Sequence, residues 1–204
     1  MGFPQTGVLP IIVDFSSYKR CLKKYPAFPY IKTHFPTLLH VGRAAPNKCL
    51  EDILKIVYFC QKYAPDLRLK LVGSHYDTET YVRALEEMIH RLNLNHVSIT
   101  GHVSTLELVQ TYLASSIYLC VSEHEGFCVP LVEAMYFGIP IIAYRAAAVP
   151  ETLGDAGLLF DEKDAPAMAE AVLEVLGNIS LRQSLIKKGK ARLTAFTEKA
   201  VAPV

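Results

Sequence analysis

The 204-residue sequence has no Cys-x-x-Cys pair, and its cysteines, Cys21, Cys49, Cys60, Cys120 and Cys128, are odd in number. That pattern excludes a disulfide framework and points to a reduced compartment. Long apolar runs are missing too. The longest charge-free one, Ala134 to Tyr144, is broken by Gly138 and Pro140 and falls well short of the roughly 20 residues of a membrane span. A basic segment is absent ahead of Pro4, Pro10 and Asp14, so no secretory leader is read there. Neither sign of charge is in surplus: 21 Lys and Arg face 20 Asp and Glu, for a formal charge of +1. This balance excludes a nucleic-acid binder that works by bulk charge. The expectation is a cytoplasmic chain, at most peripheral to a membrane. Charged residues make up only 20% while hydrophobic ones reach 51%, as in a chain buried on two faces rather than an average globular protein with about 25% charge.

From residue 36 onward, short apolar runs alternate with longer amphipathic segments, the pattern of strand, crossover helix and strand. Strands are read at Thr37 to Val41, Arg68 to Val72, His96 to Thr100, Ile117 to Val121, Ile139 to Ala143 and Gly157 to Phe160. Helices are predicted near Leu50 to Tyr63, Thr78 to Leu92, Leu106 to Ser115, Val129 to Phe137, Ala165 to Leu176 and Leu181 to Ala195. Ser104 with Glu107 three residues later forms a capping box, and Asp164 precedes Ala165 and Pro166 at a first helical turn. The runs LLHV, LKLV, YLCV and PIIAY carry little polar alternation, as expected of parallel strands covered on both faces. The fold class is therefore α/β, a doubly wound and mainly parallel sheet over residues 36–195. Residues 1–35 and 196–204 read as irregular flanks. Ligands of such sheets bind beyond the carboxyl ends of the strands, near the reversal of strand order.

The loop after the first strand reads GRAAPNKC, Gly42 to Cys49. It approaches a phosphate loop, but Asn47 replaces the second glycine and Cys49 the magnesium-binding hydroxyl. What remains is a glycine at a strand end followed by two cations, Arg43 and Lys48, which either face an anion or stand as solvated charges. No G-x-G-x-x-G follows any strand. The loop after the fourth strand, SEHEGFCVPLVEAM, carries Glu125 and Glu133 with seven residues, and a helix start, between them. The amides of Phe127, Cys128 and Val129 would be unpaired helix N-terminal donors, suited to phosphate or diphosphate. Glu133 would accept from a ribose diol, and Glu125 would hold sugar hydroxyls or stabilise charge at a sugar carbon. The blander reading makes Glu125 a favourable charge beside a helix N-terminus and Glu133 a solvated residue. His102 follows Gly101 at a strand end, where its loop either lines a base pocket or carries a surface histidine. His124 lies between two glutamates, yet no His-x-x-x-His or paired-cysteine spacing supplies a metal site.

Taken together, HVGRAAPNK, LKLVG, ITGHVSTLEL, EHEGFCVPLVE, AMYFGIPIIAY and VPETLGDAGLLF resemble, in order and spacing, the C-terminal half of retaining GT-B-fold glycosyltransferases. The opening GVLPIIVDF is similar to the linker through which that family's chain leaves its N-terminal Rossmann-like half. The resemblance implies that Gly42, Arg43 and Lys48 meet the donor diphosphate and that the backbone of Phe127, Cys128 and Val129 meets phosphate and sugar. It further implies that Glu125 is the catalytic contact to the transferred sugar, that Glu133 holds the ribose, and that the His102 and Val103 backbone holds the base. It implies no metal and no cofactor beyond a UDP- or GDP-sugar donor, with a glycan or lipid-linked acceptor. Cys49 and Cys128 depart from the pattern, standing where it often has glycine. The expected function is donor binding for glycosyl transfer with retention, by a fragment inactive without its missing N-terminal half. The alternatives are a non-catalytic nucleotide-binding module, or a GT-B-type epimerase or phosphorylase, the last marked by lysine-bound pyridoxal phosphate.

Overall fold

The computed structural model describes residues 11–25 and 35–197. In chain order the elements are α1 (Ser16–Lys24), β1 (Thr37–Val41), α2 (Leu50–Gln61), β2 (Arg68–Val72), α3 (Glu79–Arg91), β3 (Val97–Ile99), α4 (Thr105–Leu113) and β4 (Ile117–Cys120). They continue with α5 (Val129–Phe137), β5 (Ile141–Tyr144), α6 (Val149–Leu153), β6 (Leu158–Phe160), α7 (Ala165–Gly177) and α8 (Ile179–Leu193). Short 3-10 turns at Pro46–Lys48 and Thr194–Phe196 complete the set. The sheet is six-stranded in the order β3-β2-β1-β4-β5-β6. Every pairing is parallel, β1 being set against β2 from Thr37↔Arg68 to Val41↔Val72 and against β4 at Leu38↔Ile117. The doubly wound reading from the apolar runs therefore holds.

Alternation along each strand feeds two cores. Leu38, Ile117, Leu119 and Ile142 point to the layer that holds Ile53, Leu54, Val57, Val172 and Val175 of α2 and α7. Leu39, Tyr118, Cys120, Ile141 and Ala143 point the other way, toward Val109, Tyr112, Leu131, Val132 and Met135 of α4 and α5. Since β1, β4 and β5 are buried on both faces, each interior residue contributes about 1.5–3 kcal/mol of apolar burial. Asp164 caps α7 by accepting from the Ala167 amide at 3.0 Å, and Ser104 and Glu107 make the reciprocal capping box of α4.

Two elements correct the sequence reading. Residues 16–24, taken as part of an irregular flank, form α1. Asp14 Oδ1 accepts from the Ser16 amide at 2.7 Å, and Phe15 stacks on Tyr136 with ring centroids 4.2 Å apart. Tertiary packing thus supplies what this short, lysine-rich helix lacks on its own. The second is α6, a five-residue helix set between two strands read as directly connected. The remainder of the proposed flanks, residues 1–10, 26–34 and 198–204, lies outside the described residues.

Candidate functional site

The order reverses between β1 and β4, and the chain leaves their carboxyl ends in opposite directions. In a parallel open sheet that divergence opens a crevice. Its first wall is the loop after β1. The Gly42 amide donates to Val72 O and the Ala44 amide to Ser74 O, each at 2.9 Å, which stitches this loop to the one after β2. A Cβ on Gly73, at φ +149°, would stand 2.0 Å from Gly42 O, so the approach requires glycine. The 3-10 turn then delivers Lys48, and Cys49 adopts the left-handed conformation (φ 50°) to start α2. The second wall is the loop after β4, held on both sides. The Glu123 amide donates to Asn47 O at 2.9 Å and Asn47 Nδ2 to His124 O at 3.3 Å. From α6, the Ala148 amide donates to Glu125 O at 3.2 Å and Thr152 Oγ1 to Phe127 O at 2.6 Å. Cys128, again left-handed (φ 63°), opens α5 without a side-chain cap. Both cysteines that depart from the glycine of the family pattern therefore sit in a backbone region where glycine is favoured.

Lys48 Nζ lies 2.7 Å from Glu125 Oε1, the side chains being 17% and 10% exposed. The structure thus joins two residues 77 positions apart into an ion pair spanning the crevice. Spacing alone gave no sign of this pairing. Beside it stands the start of α5, which has no side-chain cap and no acidic residue in its first turn; Pro130 brings no N–H and the Leu131 amide donates to Cys128 O at 3.0 Å, so the first-turn donor is the Val129 amide. Phe127 is half-buried with its ring edge against Phe196, Cys128 is buried and Val129 is exposed. Arg43 is exposed and its Nη2 donates to Tyr76 O at 2.9 Å, so this cation is pinned to the loop after β2 rather than set beside Lys48. His102 is exposed on the loop before α4, and half-buried Val103 packs against the core behind it.

Glu133 is not the solvated residue of the blander reading. It is buried, accepting from Tyr18 Oη at 2.5 Å and from Tyr112 Oη at 2.6 Å. Burial, reinforced by the carboxylate, pushes both phenols well above the ordinary tyrosine range and keeps them donors. Each carboxylate oxygen retains a further lone-pair direction for a ligand. Tyr18 is supplied by α1, so the segment read as a flank contributes to the environment of the second glutamate.

Sequence reasoning passed over His40, which lay inside a run read as core. Its Nδ1 faces Leu119 O at 2.9 Å, which fixes the proton on that nitrogen and leaves Nε2 a bare acceptor. Nε2 is buried and meets no partner among the described residues. It would lie 3.2 Å from a Cβ on Gly42, which places it at the base of the first wall. Burial, with a smaller contribution from Lys48, pushes the imidazole down to about 4, opposed by the Leu119 bond and Glu125. The available signal was a histidine within an apolar strand two residues before the glycine.

The family model described as "Glycosyl transferases group 1" matches residues 23–192. The chain belongs to this family. It is 29% identical over 161 residues to O-antigen chain mannosyltransferase B of Escherichia coli, covering 78% of the chain and 42% of that relative. It superposes on Anabaena HepE, solved in complex with UDP and glucose, with a TM-score of 0.79 at 20% identity, covering 95% of this chain and 53% of that one. It also matches the C-terminal domain of the group 1 family protein LpcC from Francisella tularensis, with a TM-score of 0.67 at 22% identity, covering 91% and 94%. The fold is that of a GT-B half, and the chain spans less than half the length of the curated relatives it matches. No helix among the described residues is long and apolar enough to cross a membrane.

Proposed function

We propose that the chain is the donor-binding half of a retaining glycosyltransferase, taking a UDP- or GDP-sugar for transfer to a glycan or lipid-linked acceptor. The observation that carries this is the Lys48–Glu125 pair across the crevice, beside the uncapped start of α5. An ammonium already held at that rim exchanges one anion for another when a diphosphate arrives. The Phe127, Cys128 and Val129 amides leading into α5 add dipoles that need no reorganisation. Released from Lys48, Glu125 accepts from hydroxyls of the transferred sugar and stabilises the positive charge that develops at its anomeric carbon. Glu133, held in place by two phenol donors, takes the ribose hydroxyls, while the His102 and Val103 backbone borders the base. The leaving diphosphate gains charge as the glycosidic bond breaks, and the cation and amides hold it more strongly then than in the ground state.

HepE, on the same fold, was solved in complex with UDP and glucose, and the sequence relatives include a mannosyltransferase. Both support a nucleotide-sugar donor. The acceptor and the complementary half of the cleft belong to an N-terminal Rossmann-like partner, so the chain alone binds donor without turning it over. The test is a thermal-shift panel of UDP-, GDP- and ADP-sugars. A donor at 100 times its Kd adds about 2.7 kcal/mol of stability. The absence of any shift across the panel, or metal-free transfer by this chain alone at about 1 per second or faster, overturns the reading.

A further inference from the structure

Cys120 ends β4, Glu125 lies in the loop that follows, and Cys128 immediately precedes α5. Their ligand atoms all lie within 4.8 Å of one another. The two thiols stand 3.9 Å apart, Sγ to Sγ. Two sulfurs bound to a tetrahedral zinc-class ion at about 2.3 Å are about 3.8 Å from each other, whereas a disulfide needs about 2.05 Å. The pair therefore sits at the spacing of a shared ion. Both cysteines are buried, at 0% and 6% exposure, so hydration does not compete for the sulfurs. Ser122 Oγ lies 3.8 Å from Cys120 Sγ and accepts from it. Cys128 holds its sulfur there from a left-handed backbone conformation that favours glycine. Cys49 and Cys60 turn instead to the backbone carbonyls of Pro46 and Ala169.

We propose that Cys120, Glu125 and Cys128 form a binding site for a thiophilic divalent cation of the zinc class. Binding forms two metal–sulfur bonds and breaks two S–H bonds, the protons leaving to solvent with no change of oxidation state. Charge balances in place. Before binding, the Lys48 ammonium offsets the Glu125 carboxylate; afterwards the ion offsets two thiolates while Lys48 and Glu125 still cancel. Occupancy commits Glu125 and the start of α5 to the metal, so the ion antagonises the donor. That consequence rests on the proposed donor site, whereas cation binding does not.

The probe is Co2+ titrated into the reduced, metal-free chain, followed by displacement with Zn2+. One equivalent should raise sulfur-to-cobalt charge-transfer and tetrahedral d–d bands, which Zn2+ then abolishes. Cys120→Ala and Cys128→Gly should each remove the bands, Glu125→Gln should weaken Co2+ binding at least tenfold, and Cys49→Ala should leave it unchanged. Glycine suits the backbone at position 128, so the Cys128→Gly chain keeps its far-UV circular dichroism and serves if Cys120→Ala unfolds. Absent bands, or bands surviving in Cys128→Gly, overturn the site. A chain that binds Co2+ as described but answers no nucleotide sugar overturns the donor reading alone.

Discussion

Replacing His40 with phenylalanine should change how stability depends on pH. The ring offset against Tyr118, with centroids 6.1 Å apart and planes at 18°, survives the substitution, while the bond to Leu119 O at 2.9 Å does not. Burial holds the folded imidazole at about 4 against an ordinary 6.5, so between those values the unfolded chain binds a proton that the folded chain refuses. Stability owed to neutral His40 is complete above pH 6.5 and drains away as the pH falls toward 4. At 1.36 kcal/mol per unit the loss reaches about 3 kcal/mol. Near pH 7 the variant lacks a donor to the Leu119 carbonyl and should be less stable by about 1–3 kcal/mol. The two effects oppose each other, so wild type leads at pH 7 and the difference vanishes or reverses by pH 4. Urea unfolding at half-unit steps with a shared m-value reads this directly, and carboxylates common to both proteins cancel in the difference. A wild-type-minus-variant gap that stays flat from pH 7 to 4 refutes the buried neutral imidazole.

Lys48→Ala and Glu133→Ala each remove a charge-assisted hydrogen bond, and each should cost about 1.5–3 kcal/mol of nucleotide-sugar binding. Calorimetric titration giving the parent Kd for both variants would count against the donor site. Tyr112→Phe keeps the stack on Phe137 (4.8 Å, 9°) but takes one of two donors from a buried carboxylate. Its denaturation midpoint should drop by the equivalent of about 1.5–3 kcal/mol, and an unshifted midpoint contradicts the described bond.

Much of the sheet was legible because burial on both faces leaves a simple mark: LLHV and YLCV carry little polar alternation and became β1 and β4, whereas β2 alternates half-buried Arg68 and Lys70 with buried Leu69 and Leu71. Punctuation fixed two helix starts, with Ser104 and Asp164 capping as read. Helix α1 escaped because its stability lies in contacts to Tyr136 and Glu133, more than 100 positions away, and its own sequence is polar and basic. Within the site, residue types and loops were readable but pairings were not. Arg43 and Lys48 stand five apart in sequence, yet one binds the Tyr76 carbonyl and the other Glu125. Glu133 was chosen for its place in an apolar helix, and the structure explains that place by two tyrosines that no spacing rule connects. His40 was hidden by its company, since a neutral imidazole with one nitrogen satisfied is apolar enough to ride in a core strand.

Arg192 near the end of α8 donates through Nε to Thr152 O at 3.1 Å and through Nη2 to Glu151 O, while Thr152 Oγ1 grips Phe127 O. A chain of three links therefore runs from the closing helix, by way of α6, to the peptide that precedes Cys128. The mouth of the crevice is braced from the far end of the polypeptide, as an arch is by its buttress. Anything that tugs on α8, including whatever packs beyond it in a longer protein, is thereby felt at the first turn of α5.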